Sequence, residues 1–379
     1  MGRWAHTWTA APQLTEPDNL PPAPYAGSRV MADATLRQTV RISAGGERIR
    51  LRFSNAFGTT PLALTRVTVA LPSGGRAGVS AVVPGTVREV TFRGRASAAA
   101  PAGAQVVSDP VDFPLADGAV LAVTAYLAEG QAAGVTSHPG SRTTSHLAAG
   151  DRTGNADLAD ATPVEHWYFL SGVEVEPAAP VLALLGDSLT DGRGSTTNGH
   201  DRWPDLLFDR LGGFAAANQA IGGNRVLGDG LGPGALARLD RDVLALGGVR
   251  WLIVFEGVND LGTAPADGQE SVTADLIAAY GQIAVRAHAH DILVYGATLT
   301  PFGGHSYDDP RGRREAARQT VNTWIRTAGA FDAVIDFDRA VRDPADPRRL
   351  LAPYDGGDHL HLGPAGYRAL AGAVPEHLL

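Results

Sequence analysis

Val181, Leu182, Ala183, Leu184 and Leu185 form an unbroken apolar run that stops at Gly186-Asp187-Ser188. A strand with water on one side alternates apolar and polar residues. A strand with no alternation needs apolar cover on both faces, which a parallel sheet between helical layers provides. The residues that follow keep that pattern. Phe214 to Ile221, Val249 to Glu256, Ile292 to Leu299 and Ala333 to Phe337 read as strands. Between them lie helical stretches. Arg202-Trp203-Pro204 opens a helix to about Leu211, with Pro204 in the first turn, where a missing N–H costs nothing. Ser271 to His290 places Leu276, Ile277, Tyr280, Ile283 and Ala284 on one side, and Arg313 to Ala328 and Pro364 to Leu378 complete the set. Alternating strands and helices predict an α/β/α domain over residues 178–379.

Residues 1–177 obey a different period. Leu36, Val40 and Ile42 alternate with Arg37, Thr39 and Arg41, and Ile49, Leu51 and Phe53 alternate with Arg48, Arg50 and Arg52. The intervening Ala44-Gly45-Gly46 predicts a hairpin. Its arginine side is expected to be a solvated sheet face in preference to a grip on an anionic or sugar ligand. Alternation recurs at Val67 to Leu71, Val87 to Phe92 and Leu121 to Leu127. Many short strands without helices predict an all-β sandwich, jelly-roll-like. Gly130 to Pro163 shows neither period and reads as a long loop, with His138 and His146 expected at the surface. Glu174 to Pro180 reads as the boundary between domains.

Composition removes several classes. The charge is 32 − 40 = −8, with every basic residue an arginine, so a nucleic acid is not an expected partner. The absence of cysteine excludes disulfides, thiolate metal sites and a cysteine nucleophile. No apolar run reaches the ~18 residues of a membrane span, so no integral membrane association is expected. Met1-Gly2-Arg3-Trp4 does not begin a signal peptide, which implies a cytoplasmic chain as given, or a secreted one if the sequence has been trimmed.

Sites in parallel α/β sheets gather at the carboxyl ends of the strands. Ser188 follows the first strand, where a turn can present its hydroxyl; a plain helix cap is the ordinary alternative. Asn218 to Asn224 follows the second and contains Gly222-Gly223, able to bring a backbone N–H close to a developing anion or simply to turn the chain. Glu256-Gly257-Val258-Asn259-Asp260 ends the third, and Asn259 offers an amide donor or a helix cap. Asp355 to Gly363 holds Asp358 three residues before His361, an acid and a base on one short turn, with His359 as a decoy. Metal binding by His359 and His361 weighs little, because no other ligand cluster completes it; neither metal nor cofactor is expected.

In this order the four segments resemble the SGNH, or GDSL, hydrolase superfamily, whose motif blocks centre on Ser, Gly, Asn and His. The likeness spans Val181 to Leu378. The whole chain also resembles a two-domain subgroup with an N-terminal β-sandwich. The resemblance implies a three-layer, flavodoxin-like domain with a five-stranded parallel sheet. It implies Ser188 as nucleophile, Asp358 and His361 as acid and base, and Ser188, Gly223 and Asn259 as oxyanion donors. Around Ser188 the G-x-S-x-G elbow of α/β-hydrolases is missing.

The implied activity is a serine esterase working through an acyl-enzyme on short-chain, chiefly acetyl, esters, with a small-molecule or carbohydrate ester as partner. Carbohydrate O-deacetylation is one form of it. Acyltransfer, lipase or thioesterase activity at the same site are alternatives, as is a glycan-binding protein with an idle catalytic domain. Asp187, Arg225, Phe302 and His305 are candidate substrate contacts, although pairing of Arg225 with Asp187 or Asp191 is favoured over substrate binding. Oligomeric state is not legible.

Overall fold

The computed structural model describes residues 4–379; the Met1-Gly2-Arg3 start on which the leader-peptide expectation rests lies outside them. The chain divides into two compact units. One holds the residues to Ala179 together with Thr197–Gly199, and the other holds Pro180–Thr196 and His200–Leu379.

The first unit is all-β. A six-stranded antiparallel sheet runs in the order Thr162–Val164, Ser145–Ala149, Ala34–Arg41, Val120–Leu127, Arg66–Ala70, Arg88–Val90. A second runs Ala5–Thr9, Leu170–Glu176, Gly46–Ser54, Val111–Leu115, with Gln105–Val107 also paired to Gly46–Ser54. Leu36, Val40, Leu121 and Val123 of one sheet share a core with Ile49, Leu51, Phe53 and Val173 of the other.

The expected hairpin is therefore not one. Ala34–Arg41 and Gly46–Ser54 lie in different sheets, and Ile42 to Gly45 is the corner between them. The Ala44 carbonyl accepts a 2.5 Å bond from Thr7, and Gly45 passes so close to Leu115 that a Cβ would stand 2.1 Å from its carbonyl oxygen. Two facing strands of a sandwich have the same period as two paired strands, so alternation cannot tell them apart. The arginines of Gly46–Ser54 meet acids across the ladder: Arg50 and Arg52 bind Glu174, and Arg48 binds Glu176. Glu174 to Glu176 is thus the end of a strand, not a linker.

The expected long loop contains the strands Thr136–His138, Ser145–Ala149 and Thr162–Val164, each too short to show a period. His138 is not at the surface. It is buried against Trp167, with ring centroids 5.9 Å apart, and bonds the Ala11 carbonyl at 3.1 Å.

The second unit carries one parallel sheet in the order Ala215–Asn218, Val181–Gly186, Val249–Phe255, Leu293–Ala297, Ala333–Ile335. Leu182 and Leu184 point into one core with Trp203, Leu207, Phe337 and Leu370, while Ala183 and Leu185 point into another with Leu239, Leu276, Ile283 and Val321. The helices Trp203–Leu211, Phe337–Val341 and Pro364–Ala373 thus cover one face, and Ala235–Leu239, Gln269–His288 and Arg313–Thr327 the other. The last long helix ends at Ala373 instead of continuing to Leu378, because Val374 precedes Pro375 and is held extended. Helices Ala235–Leu239, Val258–Thr263 and Phe337–Val341 are five or six residues long and gave no readable period. Among the described residues no helix is long and apolar enough to cross a membrane.

The strand Val181–Gly186 is wholly buried. Each leucine there contributes roughly 1.5–3 kcal/mol by leaving water. Leu184→Ala is expected to cost about 2–5 kcal/mol, because the sheet cannot collapse onto the space left between two helical layers. Urea unfolding followed by tryptophan fluorescence would measure it; a loss under 1 kcal/mol would contradict the two-sided packing.

Candidate active site

The sheet order places the first strand of the unit between the second and the third. Connections leave it in opposite directions, which opens a crevice at its carboxyl end. Three turns meet there. After Val181–Gly186, Asp187 caps a single helical turn, Ser188–Asp191, by accepting the Leu189 N–H at 2.9 Å. That cap fixes Ser188 at the strand end.

The Ser188 hydroxyl lies 2.8 Å from His361 Nε2. His361 Nδ1 lies 2.7 Å from an Asp358 carboxylate oxygen, and the His361 backbone N–H donates to the other oxygen at 2.8 Å. The acid thus holds both the ring and the backbone of the base. Burial pushes the Asp358 carboxyl up, but the bonds from His361 outweigh it and hold the group at about 2. Burial pushes the His361 imidazole down; Asp358 opposes this, Arg193 and His305 add to it, and the balance falls below 6.5. His361 is therefore neutral at pH 7, and Asp358 favours the tautomer with its proton on Nδ1. His359 turns away and binds Asp355 at 2.6 Å. Among the described residues no group of three His, Asp or Glu side chains gathers as a metal site.

Gly223 has φ 72, a conformation that favours glycine, and Leu231 lies across it where a side chain would stand. Neither Asn259 nor Asp260 caps its own helix, whose cap position is Gly257. Both reach the neighbouring turn. Asn259 Nδ2 donates to the Asn224 carbonyl at 2.8 Å, and Asp260 accepts the Val226 and Leu227 N–H groups, both at 2.9 Å.

Of the four candidate substrate contacts, two are buried and engaged by the protein itself. Asp187 is 2% exposed and occupied as a cap, and Phe302 is 1% exposed in the core, edge-on to Tyr307. Arg225 donates to the Asp229 carbonyl within its own loop, in place of the expected pairing with Asp187 or Asp191. His305 is half-buried and accepts the Tyr307 N–H at 3.1 Å, with burial and nearby Arg193 lowering its pKa.

Two residues escaped sequence reading. Tyr307 donates to Asn259 Oδ1 at 2.9 Å, and nothing in the pattern of its loop announces this. Glu256 is a carboxyl closing an apolar strand, a signal that was available. It is 1% exposed beside Asp187. Burial, then Asp187 and Asp260, raise its pKa well above 4.5, while Asp187 itself is pushed up by burial to about 6. Glu256 therefore holds its proton more tightly than a free carboxyl and is the donor in its bond to Asp187.

A carboxyl whose pKa is raised on folding binds its proton more tightly in the native state. Stability is then full below the unfolded value of 4.5 and falls as pH rises toward the folded value. Glu256→Gln keeps a donor for Asp187 but does not titrate. The variant is expected to lose less stability than the parent as pH rises above 4.5 in urea titrations. Parallel curves would show that Glu256 is ionised in the native state.

With this geometry in view, comparison with known proteins gives a clear result. Residues 184–369 match the GDSL-like lipase/acylhydrolase family. No curated protein matches the chain significantly. Among solved structures, a GDSL-like lipase from Bacteroides thetaiotaomicron is 19% identical over 51% of this chain and 84% of its own, with a TM-score of 0.37. A member of the lipolytic G-D-S-L family from Veillonella parvula is 16% identical over 52% and 96%, with a TM-score of 0.37. An acetyl xylan esterase is 18% identical over 51% and 96%, with a TM-score of 0.39. Residues 184–369 of this chain thus belong to the GDSL-like lipase/acylhydrolase family, which makes the protein a carboxylic ester hydrolase.

Proposed function

We propose that the protein is a serine esterase that cleaves short-chain acyl esters through an acyl-enzyme on Ser188. The observation that carries this is the 2.8 Å contact between the Ser188 hydroxyl and His361 Nε2, with Asp358 behind the ring. His361 takes the hydroxyl proton as Ser188 Oγ attacks the ester carbonyl. The carbonyl π electrons move to oxygen, and the N–H groups of Ser188 and Gly223 and the amide of Asn259 hold that charge. Collapse expels the alcohol, which receives its proton from His361. Water then repeats the sequence on the acyl-enzyme and releases the acid.

The acyl preference is inferred from the loop after Gly223. Leu231 lies over this glycine and is 50% exposed, and Leu227 is 40% exposed. Two leucines offer a small apolar wall that suits an acyl group of a few carbons better than a fatty chain. An O-acetyl or similar short ester on a small molecule or a carbohydrate is the substrate this wall suits best.

Ser188→Ala is expected to lower hydrolysis of p-nitrophenyl acetate roughly 10³-fold or more. Retained turnover would end the assignment. The pH profile gives a second test. His361 works as the neutral base, so kcat/KM falls on acidification through its pKa, below pH 6.5. Arg193 disfavours the imidazolium, so Arg193→Gln is expected to move this acid limb to higher pH. Asp358 favours the imidazolium, so Asp358→Asn is expected to move the limb lower while reducing kcat. Limbs that move the other way, or stay fixed, would exclude His361 as the titrating base.

A further inference from the structure

We propose that Tyr307 is a positioning residue for the oxyanion hole, its hydroxyl fixing the Asn259 amide so that one N–H faces the reacting carbonyl oxygen. The inference rests on the esterase reading above and adds a residue from outside the four motif blocks.

Hydrogen-bond chemistry fixes which end of the amide is which. The Asn224 carbonyl can only accept, so the Asn259 atom 2.8 Å from it is the nitrogen. The amide oxygen then faces the Tyr307 hydroxyl at 2.9 Å, and the tyrosine must donate. An amide nitrogen has two hydrogens. One is spent on Asn224, which leaves the other for the substrate. Asn259 is 3% exposed, so without Tyr307 its oxygen would lack a partner in a buried place. Rotation of the amide to find one would carry the free N–H out of line.

The surroundings hold Tyr307 in this pose. Its ring fills space left by Gly262, where a Cβ would stand 2.1 Å from Tyr307 Cδ2. Phe302 and His305 meet the ring edge-on, with centroids 6.4 Å and 4.6 Å away. Arg314 donates to the Tyr307 carbonyl at 3.3 Å and to the Ala264 carbonyl at 2.8 Å, joining the tyrosine loop to the end of the Asn259 helix. A merely structural tyrosine would need the ring alone. The contact to Asn259 needs the oxygen.

The test is a double-mutant cycle on the full chain with p-nitrophenyl acetate, read alongside fluorophosphonate labelling of Ser188. Tyr307→Phe keeps the ring and is expected to lower kcat roughly 5–10-fold with KM little changed. Asn259→Ala is expected to lower kcat by about 10²–10³. In the Asn259→Ala background, Tyr307→Phe is expected to add nothing, because its only route to the reaction is gone. Gly262→Ala, which displaces the ring, should be absorbed in the same way. Wild-type kcat in Tyr307→Phe, or an equal loss in both backgrounds, would overturn the proposal while leaving the esterase reading intact. A wild-type chain that neither turns over the ester nor takes the probe at Ser188 would overturn both.

Discussion

Three turns have to stay in register at the end of one buried strand, and side chains bonded to backbone provide this. The turn after Val249–Phe255 reaches past the first strand to the turn after Ala215–Asn218. Asn259 donates to the Asn224 carbonyl, and Asp260 takes two successive N–H groups, those of Val226 and Leu227. A carboxylate that accepts two backbone donors fixes direction as well as distance. The far side of the same turn is held by Arg238, buried at 2% exposure, which donates to Asn224 Oδ1 and to the Gln219 carbonyl. Gly223 stands between these anchors. Its left-handed conformation is thus imposed from both ends of the turn, and the fit of its N–H to a developing charge depends on residues that never meet substrate.

The arrangement concentrates acid under the nucleophile. Asp187, Asp191, Glu256 and Asp260 are all buried in this part of the unit. Four carboxylates in so little water would repel one another. Burial and the neighbouring acids raise the Glu256 pKa, which favours its protonated form and eases this repulsion. The cost falls on stability at higher pH, and the gain is positional. Asp187 caps the turn that carries Ser188, and a carboxyl biased toward its neutral form behind that cap adds less charge beneath the nucleophile than an ionised one would.

Much of this was legible in the residues, for reasons that differ from element to element. Val181–Leu185 could be read because double-sided burial leaves no alternative to an apolar run. Ser188, Gly223 and Asn259 could be read as positions because each follows a strand, where such sheets gather polar groups, and His361 because Asp358 stands three residues before it. Pairing was not legible. The strands Ala34–Arg41 and Gly46–Ser54 have the alternation of a hairpin yet enter opposite sheets, a choice made by the corner at Ile42 to Gly45. Burial was equally hidden. His138, Phe302 and Asp187 have the composition of surface or pocket residues, and only tertiary packing puts them inside. Tyr307 was invisible because its contact with Asn259 joins a loop to a helix 48 positions away.

The base and the nucleophile are built on different principles, and this decides how each tolerates change. Asp358 and His361 form a local unit: two of the bonds between them lie within one turn, and His361 holds its partner by ring and backbone together. Such a unit can alter the proton affinity of the imidazole through Arg193, His305 or Asp358 without disturbing the sheet. Ser188 has no such independence. Its place is set by the strand before it, the cap beside it and the acids beneath it, so chemistry and folding are coupled at that residue. A lineage adapting this site to a new pH would find room around His361 and little around Ser188.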